Sequence, residues 1–229
     1  MGDPLRPVDG IVWDLDGTLI DSDLYIVLNY VHMYRQFRPG YFPHLREIIN
    51  FSGPTLEEVF GREFPKVPFE TLWEEFRSFS KKYENKYCRI YDGEQACLKT
   101  IKAAGIKQCI VSNKRHDPIM DNLKAFGLEQ YMDLVLGLDD VGKGKPDPTG
   151  VIRALEMMKT APGRTIIIGD SLQDIQAGQR AGIKTGLVTW SLKGLPNIVS
   201  DHEFDTYREI EEYLTDGKPS ARDKEFASK

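Results

Sequence analysis

The chain has 229 residues, of which 41% are hydrophobic and 28% charged, so it has the composition of a globular protein with a sizeable core. Its formal net charge is −5 and no basic run stands out, which argues against binding to a nucleic-acid backbone. No run of about 18 apolar residues occurs, so a membrane span is not expected.

The N-terminal residues and the cysteines suggest a location. The residues before position 10 include no apolar stretch of the length that a signal peptide needs. Cys88, Cys97 and Cys109 are an odd number and show no C-x-x-C spacing, so buried thiols are the simplest interpretation. We therefore expect a cytoplasmic protein.

Strand-like and helix-like segments alternate along most of the chain. Short apolar runs, several of them ending in a polar residue, occur at 10–14, 107–112, 133–136, 165–170 and 184–188. Segments with helical character lie between them, at 93–104, 118–126, 149–158 and 172–181. This alternation predicts the α/β class, with a Rossmann-like, doubly wound parallel sheet covered by helices on both faces.

One segment, from about residue 20 to residue 87, breaks this alternation. Apolar residues recur there at helical spacing in two stripes, which we interpret as core packing. The stripes are Leu24, Val27, Leu28, Val31 and Tyr34, and then Leu72, Phe76, Phe79 and Tyr83. We predict a small helical domain at 20–87, inserted into a core domain made of residues 1–19 and 88–216. Residues 217–229 are polar and charged, and a flexible tail is expected there.

The first chemical motif follows the first strand and reads Asp14-Leu15-Asp16-Gly17-Thr18. Two acids separated by one residue would lie at the carboxyl edge of the sheet, where ligands bind in open α/β folds. Gly17 allows a sharp turn, and Thr18 can steady the loop. A plain Asx-turn leaving a strand would give the same pattern.

A second acidic motif follows the strand at 165–170. Asp170 ends that strand and Asp174 follows one helical turn later, with Ser171 between them. Capping of a helix N-terminus would explain these residues equally well. Taken together, however, the two motifs would gather four carboxylates in one crevice, and such a cluster either takes up protons or holds a cation. Oxygen ligands favour Mg²⁺ where a phosphate supplies further ligands.

Two more candidates follow other strands. Ser112 and Asn113 offer a hydroxyl and an amide for phosphate oxygens, and Lys145, on a Gly/Pro-rich connection, could neutralise phosphate and nucleophile together. Ordinary loop chemistry and a solvated lysine are the alternatives. Lys143 lies two residues before Lys145, and its contribution stays open.

The four motifs, in this order and each after a strand, resemble the haloacid dehalogenase (HAD) superfamily of phosphotransferases from residue 10 to about residue 192. The resemblance implies that Asp14 is a nucleophile that forms an aspartyl-phosphate. It implies that Asp16 is the general acid/base, with its main-chain carbonyl as a metal ligand. Dehalogenase members lack an acid at the second position, so Asp16 makes dehalogenation unlikely to be the reaction and favours cleavage of phosphate esters or anhydrides.

The same resemblance assigns the other site residues. Ser112 and Lys145 would hold the phosphoryl group with Asn113 in support, and Thr18 is counted with these phosphate-binding residues. Asp14, Asp16, Asp170 and Asp174 would bind or orient Mg²⁺, the one cofactor that is expected.

The helical insert resembles the C1 cap of this superfamily, which closes over the active site and selects the substrate. Within that group the chain is similar to phosphoglycolate phosphatases and to HAD-type pyrophosphatases. The segments 51–56 and 188–194, with Asp147-Pro148, carry this similarity. The segment 53–55 could present N–H groups to the substrate, although a helix N-cap at Thr55 with Glu58 explains it better. Arg35, Arg38, Arg46 and Lys66 could recognise a second anionic group, with surface solvation as the alternative.

The expected substrate is therefore a small phosphorylated metabolite or pyrophosphate, handled by a monomer or a homodimer. Three alternatives stay open. They are a phosphomutase of the β-phosphoglucomutase type, a phosphonate hydrolase with a cap lysine, for which Lys66 is a poor candidate, and a non-catalytic binding protein with a HAD fold.

Overall fold

The computed structural model describes residues 7–194, 199–218 and 220–223. The strands are β1 (Gly10–Trp13), β2 (Ile20–Asp21), β3 (Arg89–Ile90), β4 (Lys107–Val111), β5 (Leu134–Leu136), β6 (Thr165–Gly169), β7 (Lys184–Val188) and β8 (His202–Phe204). The helices are α1 (Asp23–Phe37), α2 (Leu45–Ile49), α3 (Leu56–Glu63), α4 (Phe69–Tyr87), α5 (Glu94–Ala103), α6 (His116–Phe126), α7 (Leu138–Val141), α8 (Thr149–Met158), α9 (Leu172–Ala181) and α10 (Tyr207–Asp216). Within these ranges, no helix has the length and apolar character needed to cross a membrane.

The core is built on one parallel sheet with the order β5-β4-β1-β6-β7-β8. Its central strands are buried on both faces, and their side chains alternate between two cores because successive residues of a strand point to opposite faces. Ile11 and Trp13 of β1 belong to the larger core, with residues of α5, α6 and α10, whereas Val12 packs with residues of α8 and α9. Helices therefore cover both faces, and the predicted doubly wound α/β fold is confirmed.

The strand order fixes where the chain leaves the sheet. β1 pairs with both β4 and β6, and Trp13 lies opposite Ile110 and opposite Ile168. The residues that follow these three strands therefore emerge side by side at the carboxyl edge. The strand order also reverses direction at β1, because β4 and β6 lie on its opposite sides. In open α/β sheets, ligands bind at such a reversal.

The insert between β1 and β4 contains helices α1 to α4, as the sequence predicts. Its N- and C-terminal connections run side by side, because β2 and β3 pair antiparallel and Asp21 accepts a hydrogen bond from Arg89 at 3.0 Å. Neither of these two strands is predicted from the sequence. Strands of two residues carry no periodic signal, so they become recognisable only once their partner is placed.

The buried face of α1 agrees with the predicted stripe only in part, since Tyr34 is buried and Val27 and Val31 pack against the core. Leu24 is 49% exposed, and the side chains that pack inward include Tyr25, Asn29, Tyr30 and Met33. The predicted stripe was identified mainly from aliphatic side chains and does not include these four residues. A tyrosine or asparagine can nevertheless be buried when its polar atoms are hydrogen-bonded. Here Asn29 donates to Tyr25 Oη at 3.1 Å. The stripe that begins at Leu72 does face inward.

The C-terminal part of the core also holds elements that the sequence analysis did not predict. β8 adds an edge strand to the sheet, and α10 packs beside α5. Thr206 caps α10 by accepting a hydrogen bond from Glu209 N, a T-x-x-E signature that could have been read. Beyond it, Ser220 is buried and Asp223 bonds the ring of His202 at 2.8 Å, so residues 220–223 pack on the core. The flexible tail stays a prediction for 224–229, which lie outside the described residues.

Candidate active site

Three buried carboxylates meet where β1 and β6 end. Asp14 follows β1, Asp170 follows β6, and Asp174 lies in the first turn of α9. Each can offer one oxygen so that the three atoms lie within 4.8 Å of one another. The sequence prediction that the two acidic motifs converge is therefore correct for these three residues.

Lys145 is buried among these acids. Its Nζ lies 2.7 Å from Asp14 Oδ1 and 2.5 Å from Asp174 Oδ1, and the residue is 4% exposed. Lys143, in contrast, is exposed and pairs with Asp147 at 3.8 Å. The structure thus places Lys145, and not Lys143, in the site.

A second buried lysine, Lys193, was not assigned a role from the sequence. Its Nζ lies 2.8 Å from Asp170 Oδ1, and its loop follows β7. Leu192 N in the same loop donates to Asp23 Oδ2 at 2.9 Å, which fixes the loop against α1. Lys193 stands in the Trp-Ser-Leu-Lys-Gly segment, but nothing in its spacing distinguishes it from a solvated lysine.

The charges in this cluster do not balance, since two ammonium groups face three carboxylates. Burial and the neighbouring Asp174 raise the pKa of Asp14, and Lys145 only partly offsets them. Burial likewise raises the pKa of Asp170 despite Lys193. For Lys145, burial alone would lower the pKa, but the two adjacent carboxylates raise it above its ordinary value. Additional positive charge is therefore needed to stabilise Asp14, Asp170 and Asp174 when all three are ionised.

The geometry of the cluster suits a small hard cation. All donor atoms are carboxylate oxygens, the type that Mg²⁺ prefers. Asp170 Oδ2 is buried and accepts no well-aligned hydrogen bond, although Lys193 Nζ lies 2.8 Å from it. Gly17 has φ of 87°, and a Cβ there would lie 2.0 Å from Asp170 Oδ2, so the first acidic loop approaches the second as closely as a glycine permits. Asp14, Asp170 and Asp174 can thus hold a metal ion.

Asp174 caps a helix and also faces the site, so the capping interpretation of its motif is confirmed and its role as a metal ligand stays a prediction. Its Oδ2 accepts hydrogen bonds from Ser171 N at 3.1 Å and from Ser171 Oγ at 2.5 Å, which caps α9. Its Oδ1 faces Lys145. The capping bonds therefore fix the carboxylate that turns toward the site.

Asn113 holds the site together through its side chain. Its Nδ2 donates to Gly53 O at 2.7 Å and to Lys145 O at 2.8 Å, and its Oδ1 accepts from Lys145 N at 2.6 Å. These bonds tie the loop of Lys145 to the strand end and to the insert. Asn113 is therefore a positioning residue, while the buried Ser112 lines the cavity and can reach a ligand.

Asp16 lines the same cavity but stands apart from the other acids. Lys114, which the sequence analysis did not single out, has its Nζ 3.5 Å from Asp16. The same Nζ lies 2.6 Å from Glu84 Oε1 of α4 and 2.6 Å from Asn122 Oδ1 of α6. Lys114 thus connects Asp16 to the insert.

Thr18 does not reach the cavity. It is fully buried, its carbonyl accepts a hydrogen bond from Tyr207 Oη at 2.6 Å, and its Oγ1 has no hydrogen-bond partner among the described residues. It steadies the loop, and its phosphate-binding role stays a prediction.

Comparisons with known proteins agree with this architecture. The family model described as haloacid dehalogenase-like hydrolase matches residues 11–188. The pyrophosphatase PpaX of Listeria monocytogenes is 34% identical over 184 residues, which cover 80% of this chain and 84% of that protein. A haloacid dehalogenase-like family hydrolase of Streptococcus pneumoniae has a similar fold, with a TM-score of 0.76 at 22% identity, covering 91% of this chain and 99% of the other. The predicted phosphoglycolate phosphatase of Haemophilus somnus also has a TM-score of 0.76, at 23% identity, covering 90% and 97%.

The matched region begins in β1, ends in β7 and includes the whole insert, whose position between β1 and β4 is consistent with a C1 cap. The buried acids, Ser112 and Lys145 all lie within it. The chain is a hydrolase and belongs to the haloacid dehalogenase-like family.

Proposed function

We propose that the protein is a Mg²⁺-dependent phosphohydrolase that cleaves a small phosphomonoester, such as phosphoglycolate, or pyrophosphate, through an aspartyl-phosphate on Asp14. The observation that carries the proposal is the convergence of Asp14, Asp170, Asp174 and Lys145, of which Asp14 and Lys145 line the floor of a cavity that the insert covers. The pyrophosphatase relatives and the phosphoglycolate phosphatase fold neighbour support it further.

Asp14 is placed to act as the nucleophile. It lines the cavity, it is 7% exposed, and Lys145 holds its Oδ1 at 2.7 Å. The attack on phosphorus forms an oxygen–phosphorus bond to Asp14 and breaks the bond to the leaving group, so one difficult hydrolysis becomes two steps. Bound Mg²⁺ would lessen the repulsion between the carboxylate and the phosphate.

The other cavity residues have distinct tasks. Asp16 is close enough to the site to donate a proton to the leaving oxygen and later to accept one from the attacking water. Lys145 and the Ser112 hydroxyl supply charge and a hydrogen bond to the phosphoryl oxygens. Asp170 and Asp174 would hold the metal.

The replacement of Asp14 by asparagine tests this proposal. Asp14→Asn keeps the shape of the side chain but removes its nucleophilic oxygen anion, so Mg²⁺-dependent phosphate release should fall to background while the melting curve stays cooperative. Asp139→Asn, at an exposed acid outside the cavity, is the matched control and should keep full activity. Full activity of Asp14→Asn would exclude the covalent mechanism, and no activity of the wild type toward any phosphate ester or anhydride would favour a non-catalytic binding protein.

Three further proposals follow from the sequence. The domain division is a core of residues 1–19 and 88–216 with a cap of residues 20–87, and β2 and β3 at the connections support it. The substrate is a small metabolite and not a nucleic acid, which the net charge of −5 supports. The protein acts in the cytoplasm, as a monomer or homodimer.

A further inference from the structure

The cavity above Asp14 has two walls of different chemistry. The core supplies the polar floor, with Asp14, Asp16, Ser112 and Lys145. The insert supplies the roof, and its side chains are Tyr25, Ile26, Tyr30, Phe51, Leu56 and Phe76. The volume is about 90 Å³. Because one water needs roughly 10–15 Å³, there is room for roughly six to nine waters, or for a substrate of modest size.

The lysines of the cavity already face carboxylates. Lys145 lies between Asp14 and Asp174, and it belongs to the floor where the reacting phosphoryl group would bind. Lys114 lies between Glu84 at 2.6 Å and Asp16 at 3.5 Å. Neither lysine is left as a positive charge for a second anionic group of the substrate.

The roof carries no cationic side chain among the residues described as lining the cavity. Arg35, Arg46 and Lys66 are exposed and lie outside this lining. Arg38 donates to Glu63 O at 2.9 Å and lies 4.0 Å from the ring centre of Tyr41. The four cap residues that could have bound a second anion are therefore not at the site.

Two backbone N–H groups of the roof loop 52–55 already have acceptors. Thr55 N donates to Glu58 Oε2 at 2.8 Å, and Ser52 N donates to Ile49 O at 3.3 Å. Pro54 has no N–H. The predicted helix cap at Thr55 is thus correct, and it places a carboxylate at the loop where a second phosphate would need donors.

The polar groups of the roof are neutral hydroxyls. The Tyr30 hydroxyl is buried and has no hydrogen-bond partner among the described residues. The ring of Tyr30 packs against Phe51 and Phe76, with ring centres 4.9 Å and 5.7 Å apart. This aromatic environment can accept an apolar group, whereas a buried charge without a partner is strongly disfavoured.

We infer that the preferred substrate is a small phosphate monoester whose organic part is uncharged and mainly apolar, and not pyrophosphate or an ester with a second anionic group. The inference rests on the proposed phosphohydrolase function and narrows its substrates to phosphomonoesters without a second anionic group, so it excludes both phosphoglycolate and pyrophosphate. Its basis is the pairing of the floor lysines together with the aromatic and aliphatic roof.

A matched pair of substrates tests it on the wild-type enzyme with Mg²⁺ in excess of total phosphate compounds. Phenyl phosphate and 4-carboxyphenyl phosphate have similar shapes, but only the second carries an extra negative charge. The electron-withdrawing carboxylate makes the second a better leaving group, so chemistry alone favours it. We expect kcat/KM to be at least about tenfold higher for phenyl phosphate than for 4-carboxyphenyl phosphate and for pyrophosphate. Equal or higher values for either anionic substrate would overturn the inference.

A variant of the roof gives a second test. Leu56 lines the cavity at the start of α3 and is only partly buried, so a longer polar side chain should be accommodated there. Leu56→Lys should raise the kcat/KM ratio of 4-carboxyphenyl phosphate to phenyl phosphate by about tenfold, because it adds the missing charge. Leu56→Gln, of similar length and no charge, should leave that ratio near the wild-type value. An equal change of this kcat/KM ratio in both variants would contradict an electrostatic origin of the substrate preference.

The two proposals fail in different ways. If the wild type hydrolyses neither phenyl phosphate nor any anionic substrate, or if Asp14→Asn stays active, the phosphohydrolase function itself is wrong. If Asp14-dependent hydrolysis is present but anionic substrates are preferred, only the inferred substrate class is wrong.

Discussion

Gly17 links the two acidic motifs at the scale of a single residue. Its φ of 87° disfavours any side chain, and a Cβ would also lie 2.0 Å from Asp170 Oδ2. Gly105 has a similar φ of 73° but open space around it. A comparison of alanine substitutions at the two glycines therefore distinguishes backbone strain from a steric effect on the site.

For Gly17→Ala we expect a loss of about 1 kcal/mol from the left-handed backbone, a further loss from the displaced carboxylate, and near-complete loss of Mg²⁺-dependent activity. Gly105→Ala should lose only the backbone contribution and keep its activity. Chemical denaturation and phosphate release measure the two effects. Equal losses of stability and of activity in both variants would show that the close approach of Gly17 to Asp170 is not required for the site.

Glu94 should make the stability of the fold depend on pH, through the core and not through the active site. It is fully buried, and burial raises its pKa from 4.5 to about 9, which the hydrogen bond from Tyr91 N only partly opposes. The folded protein therefore keeps the proton to a higher pH than the unfolded chain does. Its contribution to stability is complete below pH 4.5 and is lost progressively as the pH rises toward 9.

Glu94→Gln should accordingly reduce the pH dependence of stability. Glutamine resembles the protonated acid and does not ionise, so the melting temperature of the variant should fall less between about pH 6 and 9 than that of the wild type. Glu129→Gln, at an exposed position, should leave the wild-type slope unchanged. Parallel curves for Glu94→Gln and wild type would mean that Glu94 is ionised in the folded state.

At the scale of elements, Lys114 joins the insert to the core. Glu84 belongs to α4, Asn122 to α6, and Asp16 to the loop after β1, so three separate segments meet at one ammonium group. Burial alone would lower the pKa of Lys114, but Asp16 and Glu84 raise it, which keeps the lysine charged. A contact of this kind couples the position of the insert to that of Asp16.

Lys114→Met should destabilise the protein by about 2–3 kcal/mol and lower kcat. The loss is smaller than for a fully isolated buried charge, because Arg77 lies 4.0 Å from Glu84. The double variant Lys114→Met/Glu84→Gln should recover part of the stability, since it removes the charge left behind. Strictly additive losses in denaturant unfolding would show that Lys114 and Glu84 do not interact.

At the scale of the whole molecule, metal binding should stabilise the fold. Asp14 is far from Asp170 and Asp174 in the chain, so the complete cation site exists only in the folded state. A cation that binds only this state adds about 2.7 kcal/mol at a hundredfold excess over its Kd. For a protein of this size we expect Mg²⁺ to raise Tm by roughly 5–10 °C.

Asp170→Asn removes one of the three ligands and should abolish most of this Mg²⁺-dependent rise in Tm. Choline chloride at the same ionic strength serves as the control for nonspecific salt effects, and it should change neither protein. If Asp170→Asn shows the full wild-type rise, the carboxylate cluster is not the metal site.

Local patterns alone predicted the central strands and the helical insert, because buried strands and helix faces have their own periodicity. The four chemical motifs could be recognised because each follows a predicted strand. The acids after β1 and β6 could be foreseen as neighbours, since parallel strands bring their carboxyl ends to one edge. Very short elements such as β2, β3 and β8, and the tyrosine face of α1, could not be read, because pairing and hydrogen bonds across the fold decide them.

Residue type and order near the strand ends, with the family resemblance that they carry, were enough to predict a hydrolase with Asp14 as the candidate nucleophile and a cluster of acids around it. Lys145 could be predicted from its motif, whereas tertiary packing was needed to identify the other lysines buried near the site. Lys193 and Lys114 look like solvated side chains in the sequence, and burial against specific carboxylates gives them their roles. The roof of the cavity was likewise decided by the packing of α1, α3 and α4, because side chains distant in sequence converge there.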